Sequence, residues 1–367
     1  MIGISTGYVK KIIKKKKDLT EILVEVEEKE EKALNFNQLT GEVAAGDLVI
    51  LNTTAFDLGL GTGGYHLVMG VLFKGRTPKR SSGHIIKLRY TPYQFPVLAV
   101  EEEASKDREK IEKFKGLEKM PVIVGTLHSQ LAPAAAVIKK LSKSLKIAYL
   151  MTDKASLPLA LSSLVDELKS KGLIFATITS GQAFGGDYEA VNIYTGLICA
   201  KLVVRADVTI VTQGLGSVGT GTKYGFSGIE QGEIINAVSI LGGSPIAIPR
   251  VSFADKRERH QGVSEHTLVA LGEVALLPAL VSVPEVEEEK LGRILSQLGS
   301  RGVREKHLIR VIKADIALDA LKEEGIEVTT MGRKVEEDRE FFLSAGAAGI
   351  LAVELLRGRR GEVIGER

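Results

Sequence analysis

The sequence predicts an α/β protein, with a doubly wound, mostly parallel sheet in a C-terminal domain and a small β-rich barrel or sandwich before it. Three observations carry that prediction. The first hundred residues are a succession of short β-branched or alternating runs separated by Gly, Asn, Asp or charge. From residue 120 apolar runs of strand length alternate with helical stretches of about ten to fifteen residues, the rhythm of βαβ units. A length of 367 residues also exceeds the usual span of one core. The expected division is a β-rich domain over 1–105, a charged linker over 106–119, and an α/β ligand-binding domain over 120–367.

The N-terminal strands are expected in "YVKKII", "EILVEVEEK", "KALNFN", "DLVILNTTA", "YHLVMGVLF", "HIIKLRY" and "PVLAVEEE". Strands this short and this closely spaced suit a small barrel or sandwich. The basic run Lys14 to Lys17 is followed by the acidic "EVEEKEEK", so opposite charges cover one hairpin and nucleic acid is not the expected partner. "EEEASKDREKIEKFKGLEK" is almost wholly charged and supplies the linker.

In the second half, "PVIVGT" precedes the helical "LAPAAAVIKKLSKSL". "KIAYLMT" precedes "SLPLALSSLVDELKSKG", with Ser156 as the expected N-cap and Gly172 as the stop. "LIFATITS" leads through a glycine turn to a helix over 189–203, and "ADVTIVTQ" through a longer one to a helix over 230–241. "SPIAIPR" follows, and near the end "ADIALDALKEEG" gives way to a strand in "IEVTTMG" and a last helix through "FFLSAGAAGILAVELL".

Composition narrows the classes of function. Basic and acidic residues number 49 and 46, a net charge of +3, and there is no Trp, which argues against a nucleic-acid surface. The single cysteine, Cys199, excludes an internal disulfide and a cysteine-ligated metal. The N-terminus lacks the uninterrupted apolar segment of a secretory signal. No apolar stretch reaches the roughly 18 residues of a bilayer span, so a cytoplasmic protein without a membrane partner is expected. Self-association into a homo-oligomer is left open.

The chemistry concentrates in loops that follow strands. "GLGSVGTGTKYGFSG" places Gly214, Gly216, Gly219, Gly221 and Lys223 after "DVTIVTQ". Although G-x-G-x-x-G matches, no helix starts inside the motif and no acidic residue ends the next strand, so a dinucleotide fingerprint is not the reading. The same pattern recurs in "GLGTGG", at Gly59, Gly61 and Gly64, where no helix is expected. "TSGQAFGGDYE" brings Gly181, Gly185, Gly186 and Asp187, and "GTLHSQ" brings His128. Successive glycines expose backbone amides to an anion. "PRVSFADKRERHQGVSEHT" adds Arg250, Asp255, Arg257, Arg259, His260 and His266. Arginine forks suit phosphate or carboxylate, and histidine suits proton transfer. The expectation is a small anionic, phosphate-bearing metabolite or nucleotide held by these glycines and arginines. His260, His128 and Asp255 are the expected proton-transfer group. No metal-ligand motif is present and no cofactor is specified. A non-enzymatic interaction module and a metal-dependent hydrolase built on His128, His260 and His266 are the alternatives.

Taken together, "LNTTAFDLGLGTGGYHLV", "GHIIKLRYTPYQ", "GTLHSQLAP", "TSGQAFGGDYEAVN", "GLGSVGTGTKYGFSG" and "PRVSFADKRERHQGVSEHT" resemble an uncharacterised bacterial family, domain of unknown function 3866. The resemblance spans nearly the whole chain and implies that these segments are the family's signature. It implies no reaction.

Overall fold

The computed structural model describes residues 2–60, 63–74 and 83–364, with side chains to residue 358. Gly61 of "GLGTGG" lies outside the described residues. Two compact units result: Met1–Ser82 with Leu88–Pro96, and Gly83–Lys87 with Val97–Arg367.

The first unit is a closed barrel of β1 (Ile4–Lys15), β2 (Leu19–Val26), β3 (Lys29–Phe36), β4 (Leu48–Asn52) and β5 (Tyr65–Val71), in the order β1-β2-β3-β5-β4. Only β3 and β5 pair in parallel. Alternation sets the inside: Ile22, Val24 and Val26 of β2 point inward with Val9, Ala33, Val49, Leu51 and Val68. Closure removes every exposed sheet edge.

The second unit is built on eight parallel strands. These are β6 (Pro121–Val124), β7 (Ile147–Thr152), β8 (Ala176–Ser180), β9 (Tyr188–Ala190), β10 (Val208–Gln213), β11 (Ser244–Ala247), β12 (Leu280–Pro284) and β13 (Leu308–Ile312), in the order β9-β8-β7-β10-β6-β11-β12-β13. Every residue of β6, β7, β8 and β10 is buried, because helices cover both faces. One face packs Ile123, Ile147, Tyr149 and Ile210 against helices α1 (Leu131–Leu141), α2 (Ser163–Ser170), α7 (Asp315–Glu323) and α8 (Arg339–Ile364). The other packs Val122, Val124, Leu150, Ile178 and Val281 against α3 (Ile193–Cys199), α4 (Glu230–Ile240), α5 (Glu265–Val269) and α6 (Glu288–Ser300).

Several sequence expectations are corrected. "IEVTTMG" is not a strand; Ile326 and Val328 are buried in the core beneath α8 as irregular chain. Two strands went unrecognised, β12 in "LVSVP" and β13 in "LIRVI". The start of the 189–203 helix is instead edge strand β9, and helix α3 begins only at Ile193, capped by Asn192 accepting from the Thr195 amide at 3.1 Å. Ser162, not Ser156, caps α2. The segment Arg339–Gly358 is long and apolar enough to cross a bilayer, against expectation, yet it is the core helix of this unit and mostly buried.

Candidate functional site

Because the strands are parallel, the loops after β6, β7, β8, β10 and β11 leave from one rim of the sheet. Chain connections diverge between β7 and β10 and again between β6 and β11, and such switch points open the ligand crevices of doubly wound sheets. Three fully buried glutamines close the floor of the rim. Gln130 Oε1 accepts the amides of Thr126 (2.8 Å) and Leu127 (3.1 Å), Gln213 Nε2 donates to the Thr126 carbonyl (2.6 Å), and Gln231 Nε2 donates to the carbonyls of Val124 and Ile248 (2.8 and 2.9 Å). They pair backbone groups where the ladder runs out. Nothing in the sequence marked them.

After β11 the chain enters a buried charge cluster. Asp255 accepts from Arg250 Nη2 at 2.8 Å and takes a two-pronged contact from Arg257, Nε at 2.9 Å and Nη2 at 2.8 Å. Arg333 Nη2 lies 3.6 Å away and anchors to fully buried Asp338, which also accepts from Ser252 Oγ at 2.8 Å. Three guanidiniums face two carboxylates, leaving a positive excess. Burial opposes the charge on Asp255, but the bonds from Arg257 and the field of Arg250 hold its carboxyl well below the usual range. Burial pushes Arg250 down to about 10.

His260, 1% exposed, places Nδ1 2.7 Å from Ser264 Oγ and meets His266 edge to face at 4.8 Å. Burial, then the Arg250 charge, lowers His260 to about 3 and His266 to about 4, so both rings are neutral at neutral pH. Among the described residues, His260 Nε2 and Arg250 Nε are buried without a hydrogen-bond partner. Arg259 is exposed, and its charge reaches His266.

The segment Gly214–Gly228 meets this cluster at His266. Phe226 stacks on that ring, with centroids 4.0 Å apart and planes 3° from parallel, and a Cβ on Gly219 would sit 2.9 Å from His266 Cε1. Gly214 abuts Ser156 Oγ at 2.5 Å by the same measure, and Ser156 N donates to the Leu215 carbonyl. Gly216 and Gly221 take φ of +83° and +81°, open to glycine at little cost. The amides of Gly216, Ser217, Gly219 and Gly221 donate to no protein acceptor among the described residues. Lys223 is turned to Glu273 at 2.8 Å, so the expected ligand cation is already paired.

In the loop after β8, the Gly185 and Gly186 amides and the Asp187 carboxylate are engaged within the protein. Gly185 N donates to Glu189 Oε1 (2.8 Å) and Gly186 N to Thr179 Oγ1 (3.1 Å). Asp187 accepts from Thr177 N at 2.9 Å and pairs with Lys169, and Gly181 packs against the Asp153 carboxylate too closely for any side chain. Lys87, fully buried, pins the loop by donating to the carbonyls of Gly181 and Ala183, each at 2.9 Å, with Glu189 at 3.1 Å. Gln182 N donates to Asp153 at 2.9 Å, Phe184 N donates to the Leu157 carbonyl at 2.9 Å, and Phe184 bridges to Pro158.

His128 stands apart as well. Its Nε2 lies 2.7 Å from Ser162 Oγ and its Nδ1 3.1 Å from Tyr149 OH, and burial lowers it to about 4. Both ring nitrogens are engaged, and no group of three or more His, Cys, Asp or Glu among the described residues is placed to hold a metal. A residue passed over in the sequence is Glu230, at the start of α4 beside the β7–β10 crevice. It is 4% exposed, accepts from Thr152 Oγ1 at 2.6 Å, and burial raises it to about 7.

Fold and site together define a barrel-bearing, doubly wound α/β protein whose polar chemistry gathers on the carboxyl rim of its sheet. The chain belongs to the family of proteins of unknown function DUF3866, which matches residues 32–349. No curated protein matches the chain.

Proposed function

We propose that this protein binds a small anionic, phosphate-bearing metabolite or nucleotide where Gly214–Gly228 meets Arg250–His266. The observation that carries the reading is the arginine cluster on Asp255, in which Arg250 Nε and His260 Nε2 remain unpartnered beside a positive excess. An oxyanion satisfies the Arg250 Nε donor, and His260 Nε2 in the tautomer that carries its proton there, and offsets the excess charge. The open amides of Gly216, Ser217, Gly219 and Gly221 supply further donors, and exposed Arg259 adds positive charge that reaches His266. Proton transfer in any turnover falls to Glu230, because Asp255 is clamped as a carboxylate and the histidines titrate far below pH 7. The same reading puts the protein in the cytoplasm, with Cys199 buried and its thiol pushed up by burial.

The test is a thermal-shift panel of nucleotides, sugar phosphates and pyrophosphate, followed by calorimetry on the compounds that stabilise. Arg259→Ala, at an exposed position, is expected to fold normally and weaken binding about three- to tenfold. A panel without a single stabilising phosphate compound, or equal affinity in Arg259→Ala, removes the reading.

A further inference from the structure

We propose that Gly214–Gly228 is a latched flap that governs access to the His266–His260 pair, with Glu273 as its catch. This rests on the anion site proposed above and adds its regulation.

The flap is anchored at its feet, closed across its tip by Thr220 N donating to the Gly225 carbonyl (2.8 Å), and held down by its side chains. At the feet, Ser156 N donates to the Leu215 carbonyl (2.8 Å), Ser227 N to the Val218 carbonyl (2.9 Å) and Val218 N to Ser227 Oγ (3.1 Å). Residues 215–224 are exposed, and positive φ at Gly216 and Gly221 gives the backbone two points that turn easily. At the tip a single carboxylate collects two side chains: Glu273 takes Lys223 Nζ at 2.8 Å and Tyr224 OH at 2.6 Å, with Lys223 lying over the Tyr224 ring. Glu273 itself sits in a π-helical turn, Ala270–Val274, that continues α5, the helix carrying His266. Catch and guarded residue therefore share one rigid element, and such π turns recur at functional positions.

The flap covers what it guards. Phe226 lies flat on His266 and Gly219 abuts the same ring, while His266 in turn packs on His260. Beneath them the unpartnered Nε2 of His260 is shielded from solvent. A buried polar atom with no partner gains from whatever complementary group reaches it, and the stacked rings stand between it and the loop side. Lys223 is half exposed and Glu273 about a third exposed, so the catch is weak, as an opening element requires.

Hydrogen exchange read by mass spectrometry on the full chain tests this, with Glu273→Gln and Tyr224→Phe as separate variants. The expected result is amide exchange within Gly214–Gly228 about three- to tenfold faster in both, with carbethoxylation of His266 by diethyl pyrocarbonate rising in step. Wild-type exchange in both variants overturns the flap, and so does faster loop exchange with unchanged His266 modification. Pyrophosphate separates this from the binding reading. Slower loop exchange in its presence supports both. Calorimetric binding with unaltered loop exchange sinks the flap and leaves the anion site standing. Absence of binding sinks the anion site, and the ligand-free variants then decide the flap alone.

Discussion

Glu230 and His128 show how burial sets a residue's chemistry in opposite directions. Burying the Glu230 carboxyl disfavours its charged form, and the Thr152 hydrogen bond offsets only part of that cost. Its folded value of about 7 exceeds the ordinary value near 4.5. The folded state therefore holds a proton that the unfolded chain releases, and stability falls as pH rises from about 4.5 to 7, by about 3 kcal/mol at most. Glu230→Gln keeps an acceptor for Thr152 and is expected to raise the urea midpoint at pH 8 while flattening that slope. A variant no more stable than wild type at pH 8 contradicts the assignment. His128 has the reverse sign. Its folded value of about 4 lies below the ordinary 6.5, so its contribution is complete above pH 6.5 and is lost as pH falls toward 4. Up to about 3 kcal/mol is involved. In His128→Gln the decline between pH 6.5 and 4 should be shallower in a series of urea melts. The residue types at the rim were readable from sequence, but which nitrogen or amide stays open was not. Arg257 and Lys223 look alike in sequence as free cations, and both prove to be paired, with Asp255 and Glu273.

At the scale of elements, glycine has two roles here that a sequence does not separate. In Gly214–Gly228 it gives the backbone room to turn and leaves amides open. In α8 it lets helices approach. Gly349 lies against Val137 and the Ala134 carbonyl of α1, and Gly346 against Ala317 of α7, all too close for a side chain. Ala gains about 1 kcal/mol over Gly in a helix interior, whereas forcing a methyl into a closed contact costs about 1–3 kcal/mol. The contact against backbone cannot be relieved by a rotamer, so Gly349→Ala is expected to lower the chemical-denaturation midpoint. A rise would contradict a closed contact between α1 and α8. The central strands were legible because burial on both faces leaves runs such as "KIAYLMT" free of polar interruption. Strand β13 was not, since Leu308, Arg310 and Val311 are exposed on an edge and carry no such run. "IEVTTMG" has strand composition but pairs only through a single bridge from Thr330 to Arg333, and without a ladder that composition does not make a strand.

For the whole molecule, the alternation of strand and helix was enough to specify parallel strands, helices on both faces, and glycine loops on one rim, because βαβ connections have one handedness and one packing solution. The run of short strands at the N-terminus likewise specified a small β unit, barrel or sandwich, and the structure closes it as a barrel. What the sequence did not contain was strand order. The insertion of β10 between β7 and β6 creates the two switch points and draws Phe226 onto His266, while the loop after β8 is turned inward onto Lys87. Composition and periodicity are properties of neighbours along the chain, so they determine which elements form and which face each one buries. Which loops share a crevice, and which charges have already neutralised one another, depends on contacts between residues far apart in sequence, and only the packed structure decides those.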